Sequence, residues 1–253
     1  MSIRKVGLGL AVLMFALTAC DRGGRDHADG FGEQSPGISQ DGDRRDGRRE
    51  HRIAAPRGDL KEAELAVVSG ATTVTTRAED LGDDLYRVST PDDSRLAPSM
   101  VGASGRLQLH LDDTGLDGPA AVQILLSDKV RWKLRYSGGA NDTAVDLRHG
   151  RLAGLDFSTG SSRIEVALPK PEETVTVRMA GGASEFLLHA PAGVATRVTI
   201  GSGAGTVTVD GARRTGIIGG TVLAEPAWAG AKDRYDIDAT AGVSTLTLDR
   251  STA

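Results

Sequence analysis

Apolar and polar residues alternate in many short stretches beyond residue 60, and most of these stretches flank a small glycine turn. Five of the turns contain Gly139, Gly160, Gly182, Gly203 and Gly242. Five positions before these glycines stand Leu134, Leu155, Val177, Val198 and Ile237, and four positions after them stand Thr143, Ile164, Phe186, Val207 and Leu246. Alternation with a period of two residues is typical of a half-buried strand. Each glycine is therefore predicted to join two strands.

The spacing of the glycines predicts how these strands are arranged. The first four lie 21, 22 and 21 residues apart, which is a period typical of solenoid proteins. Stacked units would place equivalent residues about 4.8 Å apart. Ile164, Phe186 and Val207 are then predicted on adjacent strands that face one interior. We therefore expect an all-β fold, a single-stranded β-solenoid with rungs of about 21 residues. An antiparallel β meander or sandwich is the alternative.

Three further features follow from the same alignment. Residues 118–128 have the apolar spacing of another rung, whereas residues 215–230 fit either a degenerate rung or a protruding loop. Four positions before the glycine, on the solvent side, the residues Arg135, Asp156 and Arg178 alternate in charge. If the rungs stack, these side chains form a charged ladder that opposes slippage of one strand past another.

The first residues have the pattern of an export signal. Arg4 and Lys5 precede a short apolar stretch, and the sequence Leu-Thr-Ala-Cys follows and ends at Cys20, the only cysteine of the chain. This motif resembles the lipobox of bacterial lipoproteins. The resemblance implies that residues 1–19 are a cleaved signal peptide and that Cys20 carries the lipid. A single cysteine also excludes an intramolecular disulfide.

The next segment is predicted to be a disordered tether over residues 20–58. It has almost no apolar residues, and from residue 21 to 58 it contains eight acidic and eight arginine side chains. Such a sequence cannot bury enough apolar surface to fold. The folded ectodomain is accordingly predicted over residues 59–253.

The repeated turns also carry a family resemblance. The stretches TGSSRIEVALP, GGASEFLLHAP and GSGAGTVTVDG resemble the toastrack-type putative adhesin domain, a β-solenoid of bacterial envelope proteins. The resemblance covers about residues 60–250 and is clearest from 137 to 211. It implies the fold and an envelope location, and it brings no set of catalytic residues.

Candidate chemical groups are few. The five histidines lack the spacing of a metal site, and His110 and His189 are predicted to face solvent on strands. The acidic loop of residues 112–118 lacks the ligand pattern of a calcium loop, and the turn of residues 201–206 lacks the lysine of a phosphate-binding loop. Outward positions on successive rungs, which include Arg163, Glu165 and Glu185, show no recurring acid pair. We therefore expect no catalytic residues, no metal and no cofactor.

Together these features predict a lipid-anchored protein on the extracytoplasmic face of the cell membrane. Its ectodomain is expected to be a non-catalytic, adhesin-like binding or scaffolding module, with an envelope protein or a wall glycan as partner. A stress-sensing regulatory lipoprotein is one alternative, and a solenoid enzyme acting on cell-surface polysaccharide is a second. The net charge of −4 gives no basic surface for nucleic acid.

Overall fold

The computed structural model describes residues 50–251 of the chain, except for the side chain of residue 251. Predictions for residues 1–49, including the signal peptide and Cys20, lie outside these described residues. The described part consists of strands and one short 3-10 helix, Trp228–Gly230. In chain order the strands are β1 Arg52–Pro56, β2 Glu62–Val67, β3 Ala71–Glu79, β4 Asp84–Ser89, β5 Leu96–Ala103, β6 Arg106–Asp113, β7 Ala121–Ser127, β8 Arg131–Tyr136, β9 Ala140–Asp146, β10 Arg151–Phe157, β11 Ser161–Ala167, β12 Thr174–Met179, β13 Ala183–Pro191, β14 Ala195–Ile200, β15 Ala204–Val209, β16 Ala212–Ile217, β17 Thr221–Ala224, β18 Arg234–Ala239 and β19 Val243–Ser251.

The strands form two sheets. Sheet A has the order β1-β4-β7-β3-β9-β11-β13-β19-β15-β16, and sheet B has the order β17-β14-β18-β12-β10-β8-β2-β6-β5. The inner strands of both sheets pair in parallel, and antiparallel pairs occur only towards the ends. A rung consists of one strand in sheet B and the next strand in sheet A, as in β10/β11. The all-β solenoid prediction is therefore confirmed, and the antiparallel meander is not the arrangement of the central rungs.

The apolar columns predicted from the glycine alignment form the core between the two sheets. In sheet B, Leu155 lies opposite Leu134 on one side and Val177 on the other, and in sheet A Ile164 lies opposite Phe186. All five side chains are buried. The side-chain period of two residues thus fixes which face of each strand is inside. The residues of the expected charged ladder are register partners, with Asp156 between Arg135 and Arg178, but the hydrogen bond shown for the Asp156 carboxylate comes from Ser158.

The order of the rungs along the solenoid differs from the order in the chain. It runs β6/β7, β2/β3, β8/β9, β10/β11, β12/β13, β18/β19 and β14/β15. The rung β18/β19 is thus inserted between two earlier ones, so Leu246 lies between Phe186 and Val207. The prediction that Ile164, Phe186 and Val207 lie on adjacent strands is correct for the first pair and wrong for the second. All three side chains face the same interior, as expected.

Glycine is required where the chain turns from one sheet to the other. A Cβ atom on Gly138 would lie 1.9 Å from the carbonyl oxygen of Ser69 in the next rung. A Cβ atom on Gly181 would lie 1.9 Å from the carbonyl carbon of Thr159. The turns of neighbouring rungs therefore stack backbone on backbone, which only glycine permits at these positions.

Two predictions from the sequence need correction, namely the end of the tether and the interpretation of residues 215–230. Arg52–Pro56, placed in the tether, forms β1 and pairs with β4, so an ordered strand begins before residue 59. Apolar Ile53 packs against the core in spite of the polar residues around it. The segment 215–230 is neither a complete rung nor a simple loop, since it contains the end of β16, all of β17 and the 3-10 helix. Residues 118–128 do contribute a rung strand, β7.

The core also contains aromatic side chains whose polar atoms are satisfied. Tyr136 stacks on Phe157 with ring centroids 5.1 Å apart, and Phe186 meets Phe157 edge-on at 6.2 Å. The Tyr136 hydroxyl donates to Thr76 Oγ1 at 2.8 Å, and Trp132 Nε1 donates to a backbone carbonyl at 2.9 Å. Burial raises the pKa of Tyr136 far above its ordinary value, so this phenol stays neutral.

Candidate binding site

The outer face of sheet A carries a cluster of charged side chains that could act on a ligand. Because side chains alternate along each strand, the residues five and seven positions after the turn glycines point away from the core. On β9 and β11 these positions are Ala144, Asp146, Glu165 and Ala167, which pair in register across the two strands. The small side chains of Ala144 and Ala167 leave a shallow depression of about 660 Å³ in this face.

One wall of the depression is a chain of charged groups centred on His189. His189 Nδ1 lies 2.5 Å from Asp249 Oδ1, and His189 Nε2 lies 3.3 Å from Glu165 Oε1. Glu165 also accepts a hydrogen bond from Arg163 at 2.9 Å, and Arg163 donates to Glu185 at 2.7 Å. The imidazole is 29% exposed. Three strands paired in register, β11, β13 and β19, hold this chain of groups in place.

The opposite wall is formed by Asp146, Arg148 and Arg77. Arg148 makes a bidentate contact with Asp146, with Nε–Oδ1 at 2.9 Å and the second nitrogen–oxygen pair at 2.7 Å. Arg77 stands on β3 directly opposite Asp146 on β9. It makes no hydrogen bond or ion pair within residues 50–251. Arg77 is therefore an exposed cation at the edge of the depression, and its N–H groups have no hydrogen-bond acceptor in the described part of the chain.

These contacts shift the pKa of two carboxyl groups downwards. The hydrogen bond from Arg163 lowers the pKa of Glu165, and His189 adds to the effect although partial burial opposes it. The hydrogen bond from Arg148 lowers the pKa of Asp146, with a further contribution from the charge of Arg77. Both carboxylates are consequently ionised at neutral pH. They can accept hydrogen bonds but have no proton to give as a general acid.

Both ring nitrogens of His189 face carboxylates. A catalytic histidine held by a carboxylate needs its second nitrogen free for a reacting proton. Here Nε2 of His189 faces Glu165, which is itself bound to Arg163. Among the described residues, no group of three or more histidine, cysteine, aspartate or glutamate side chains is arranged to hold a metal ion.

The structure brings together residues that the sequence analysis treated separately. His189 does face outward, as predicted. Glu165 lies beside it on the neighbouring strand β11, and Glu185 stands on its own strand β13 and binds Arg163. Asp249 was missed because its rung is inserted next to that of His189, which the chain order does not reveal. One pattern in the sequence could nevertheless have indicated this cluster of charged residues. The position seven residues after the turn glycine reads Arg77, Asp146, Ala167, His189, Asp249 and Asp210 along the repeats.

The other candidates from the sequence lie away from this cluster. His110 is half-buried on β6, and His149 is exposed in the turn before β10. His51 bonds to Thr90 at 2.9 Å near β1. The acidic segment of residues 112–118 begins with the last two residues of β6. The segment of residues 201–206 contains the turn after β14 and the start of β15, so no helix follows it.

A second cluster lies on sheet B, where Arg197 and Arg234 are both placed over the indole ring of Trp228. Their guanidinium carbons lie 3.7 and 4.2 Å from the ring centroid. Arg197 is also held by Asp236 in a bidentate pair. These cation–π contacts and this ion pair attach the 3-10 helix to the sheet.

In the described part of the chain, no helix combines the length and apolar character needed to cross a bilayer.

Comparison with known proteins supports the architecture. No protein-family model and no curated protein matches the sequence. A putative adhesin from Bacteroides fragilis aligns over 79% of this chain and 98% of its own at 10% identity, with a TM-score of only 0.23. A putative cell adhesion protein from Clostridium sporogenes aligns over the same shares at 15% identity, with a TM-score of 0.60. The protein thus shares its all-β fold with the solved structure from Clostridium sporogenes.

Proposed function

We propose that this protein is a lipid-anchored component of the cell envelope whose solenoid binds a partner without transforming it. The observation that carries the proposal is the outer face of sheet A, where stacked rungs hold a polar depression of about 660 Å³ on a rigid scaffold. The carboxylates of Glu165 and Asp146 in this depression are ionised and already hydrogen-bonded. A surface of this kind suits recognition by many weak polar contacts.

Two further observations support the envelope role. The Leu-Thr-Ala-Cys sequence that ends at Cys20 resembles a lipobox, and acylation there would attach the chain to a membrane. The Clostridium sporogenes protein with the same fold is described as a putative cell adhesion protein. An adhesin-like or scaffolding role at the cell surface is consistent with both.

The anchor is tested by replacing Cys20. In a bacterial host supplied with an alkyne fatty acid, the unchanged chain should incorporate the label and move to the membrane fraction. Cys20→Ala should lose both properties, because acylation requires the thiol. A Ser39→Ala variant, also in the predicted tether, is the matched control and should be labelled normally. Equal labelling of Cys20→Ala would refute the lipid anchor.

The binding role is tested with the purified full-length chain in detergent. Saturable binding to isolated envelope material, with no release of soluble sugar or peptide fragments, is the expected result. The alternative of a polysaccharide enzyme has one observation in its favour, the contact of His189 with Asp249. Fragment release that Glu165→Gln abolishes would establish that alternative. Absence of binding to every envelope fraction would overturn the proposed function.

A further inference from the structure

Two adjoining depressions lie on the outer face of sheet A. The depression above Ala144 shares Thr75 and Arg77 with a neighbouring one of about 480 Å³, which reaches Gln123 on β7 and Thr90 after β4. We call the two together the sheet A groove. From β7 to β19 it passes over six strands, or about 24 Å at 4.8 Å per spacing. It therefore runs along the stack of rungs and has room for an extended ligand.

The other charged groups named around this groove already have hydrogen-bonded partners, whereas Arg77 does not. Asp146 is neutralised by Arg148, and Asp249 and Glu165 contact His189. Arg77 stands at the junction of the two depressions and makes no hydrogen bond among residues 50–251, although its charge acts on the Asp146 carboxylate. A guanidinium group presents two parallel N–H donors that match a carboxylate. The Arg77 guanidinium still has these donors available, so it is suited to an anionic ligand with planar oxygen pairs.

The rest of the groove favours a sugar chain over a peptide. Extended peptides commonly bind sheets by pairing with an edge strand. Here β3, β9, β11 and β13 lie inside sheet A and have strand neighbours on both sides, so their backbone groups are occupied. What remains are side-chain donors and acceptors, namely the Thr75 hydroxyl, the Gln123 amide and the ionised Glu165. Such groups can form hydrogen bonds with sugar hydroxyls along the groove.

We propose that the sheet A groove binds a linear polysaccharide that carries carboxylate groups, and that Arg77 binds one of these carboxylates. The inference rests on the proposed binding function and specifies its ligand class and its anchor residue. Binding to neutral sugars alone would use only the hydroxyl and amide contacts and should be weaker.

The experiment measures binding of the full-length chain in detergent to immobilised polygalacturonate at physiological salt. Arg77→Gln should weaken this binding at least about tenfold, because it removes a bidentate charged contact. Arg213→Gln is the matched control, since Arg213 is an exposed arginine on β16 that also lacks a partner in the described part of the chain. This control should bind as the unchanged chain does. Melting curves of both variants verify that they are folded.

The outcomes separate the groove from simpler explanations. Equal weakening by Arg77→Gln and Arg213→Gln would mean general charge attraction and would refute the site. Unchanged affinity of Arg77→Gln would also refute it. Dextran, a neutral polymer, should bind more weakly than polygalacturonate, and polyglutamate that binds as tightly as polygalacturonate would overturn the preference for a sugar chain. Binding of envelope material by Arg77→Gln at full strength would reject this ligand while the proposed function stands.

Discussion

Phe186 offers the sharpest test of the packing of the solenoid. Its side chain is fully buried in β13, with Ile164 on one side and Leu246 on the other. It also meets the ring of Phe157 edge-on at 6.2 Å. Both neighbouring strands are fixed by parallel pairing, so they cannot easily move in to fill the cavity that a smaller side chain would leave. We expect Phe186→Ala to fall in the upper part of the range for such changes, about 4–5 kcal/mol of unfolding free energy.

The measurement is equilibrium unfolding in urea, with the free energy extrapolated to water. For a domain of about 200 residues, the expected loss corresponds to a melting temperature lower by roughly 8–20 °C. Phe186→Leu should cost about 1–2 kcal/mol, because it keeps most of the buried apolar surface. Leu187→Ala, at the adjacent outward position, should cost less than about 1.5 kcal/mol. A larger loss for Leu187→Ala than for Phe186→Ala would show that the register assigned to β13 is wrong.

Two further predictions concern the order of the rungs and the response to acid. In a Cys20→Ser background, cysteines at Leu187 and Thr247 should form a disulfide under mild oxidation, because these residues are register partners. Cysteines at Leu187 and Thr208, two strand spacings or about 9.6 Å apart, should not. Disulfide formation by the second pair alone would disprove the inserted rung. For Glu165 the folded-state pKa is lowered, so its stabilising contribution is present above its unfolded pKa and is lost as the pH falls through the folded value. Urea unfolding from pH 6 to pH 2 should therefore show a smaller acid-induced loss for Glu165→Gln, by less than about 1 kcal/mol because the group is half exposed. An identical acid response in both proteins would contradict this assignment.

Much of the fold could be predicted from the alternating pattern. An apolar side chain at a fixed distance from a glycine identifies the inner face of a strand, since the period of two allows no other choice. Leu155, Ile164 and Phe186 were placed correctly in the core in this way. The order of the rungs could not be obtained from the same pattern. Every rung presents similar apolar columns to its neighbours, so Leu246 is as suitable beside Phe186 as Val207 is.

The candidate site could not be predicted because it depends on the order of the rungs. His189 and Asp249 are 60 residues apart in the chain and meet only because β19 lies beside β13. The sequence alone therefore indicated isolated outward charges instead of a cluster. The predicted start of the folded part at residue 59 was wrong for a different reason. Arg52–Pro56 is short and follows a strongly polar segment, and its pairing with β4 through the backbone leaves little trace in the side-chain pattern.

The inserted rung has a consequence for how the protein is made. The strands β18 and β19 are among the last to be synthesised, yet they fill the gap between β12/β13 and β14/β15. A nascent chain that has passed only residue 210 still lacks Leu246, which lies between Phe186 and Val207 in the complete fold. Ribosomal stalling or a frameshift late in the message would thus leave a truncated chain without this rung. Proteases and chaperones could recognise such a product by the apolar core residues that the missing rung would cover.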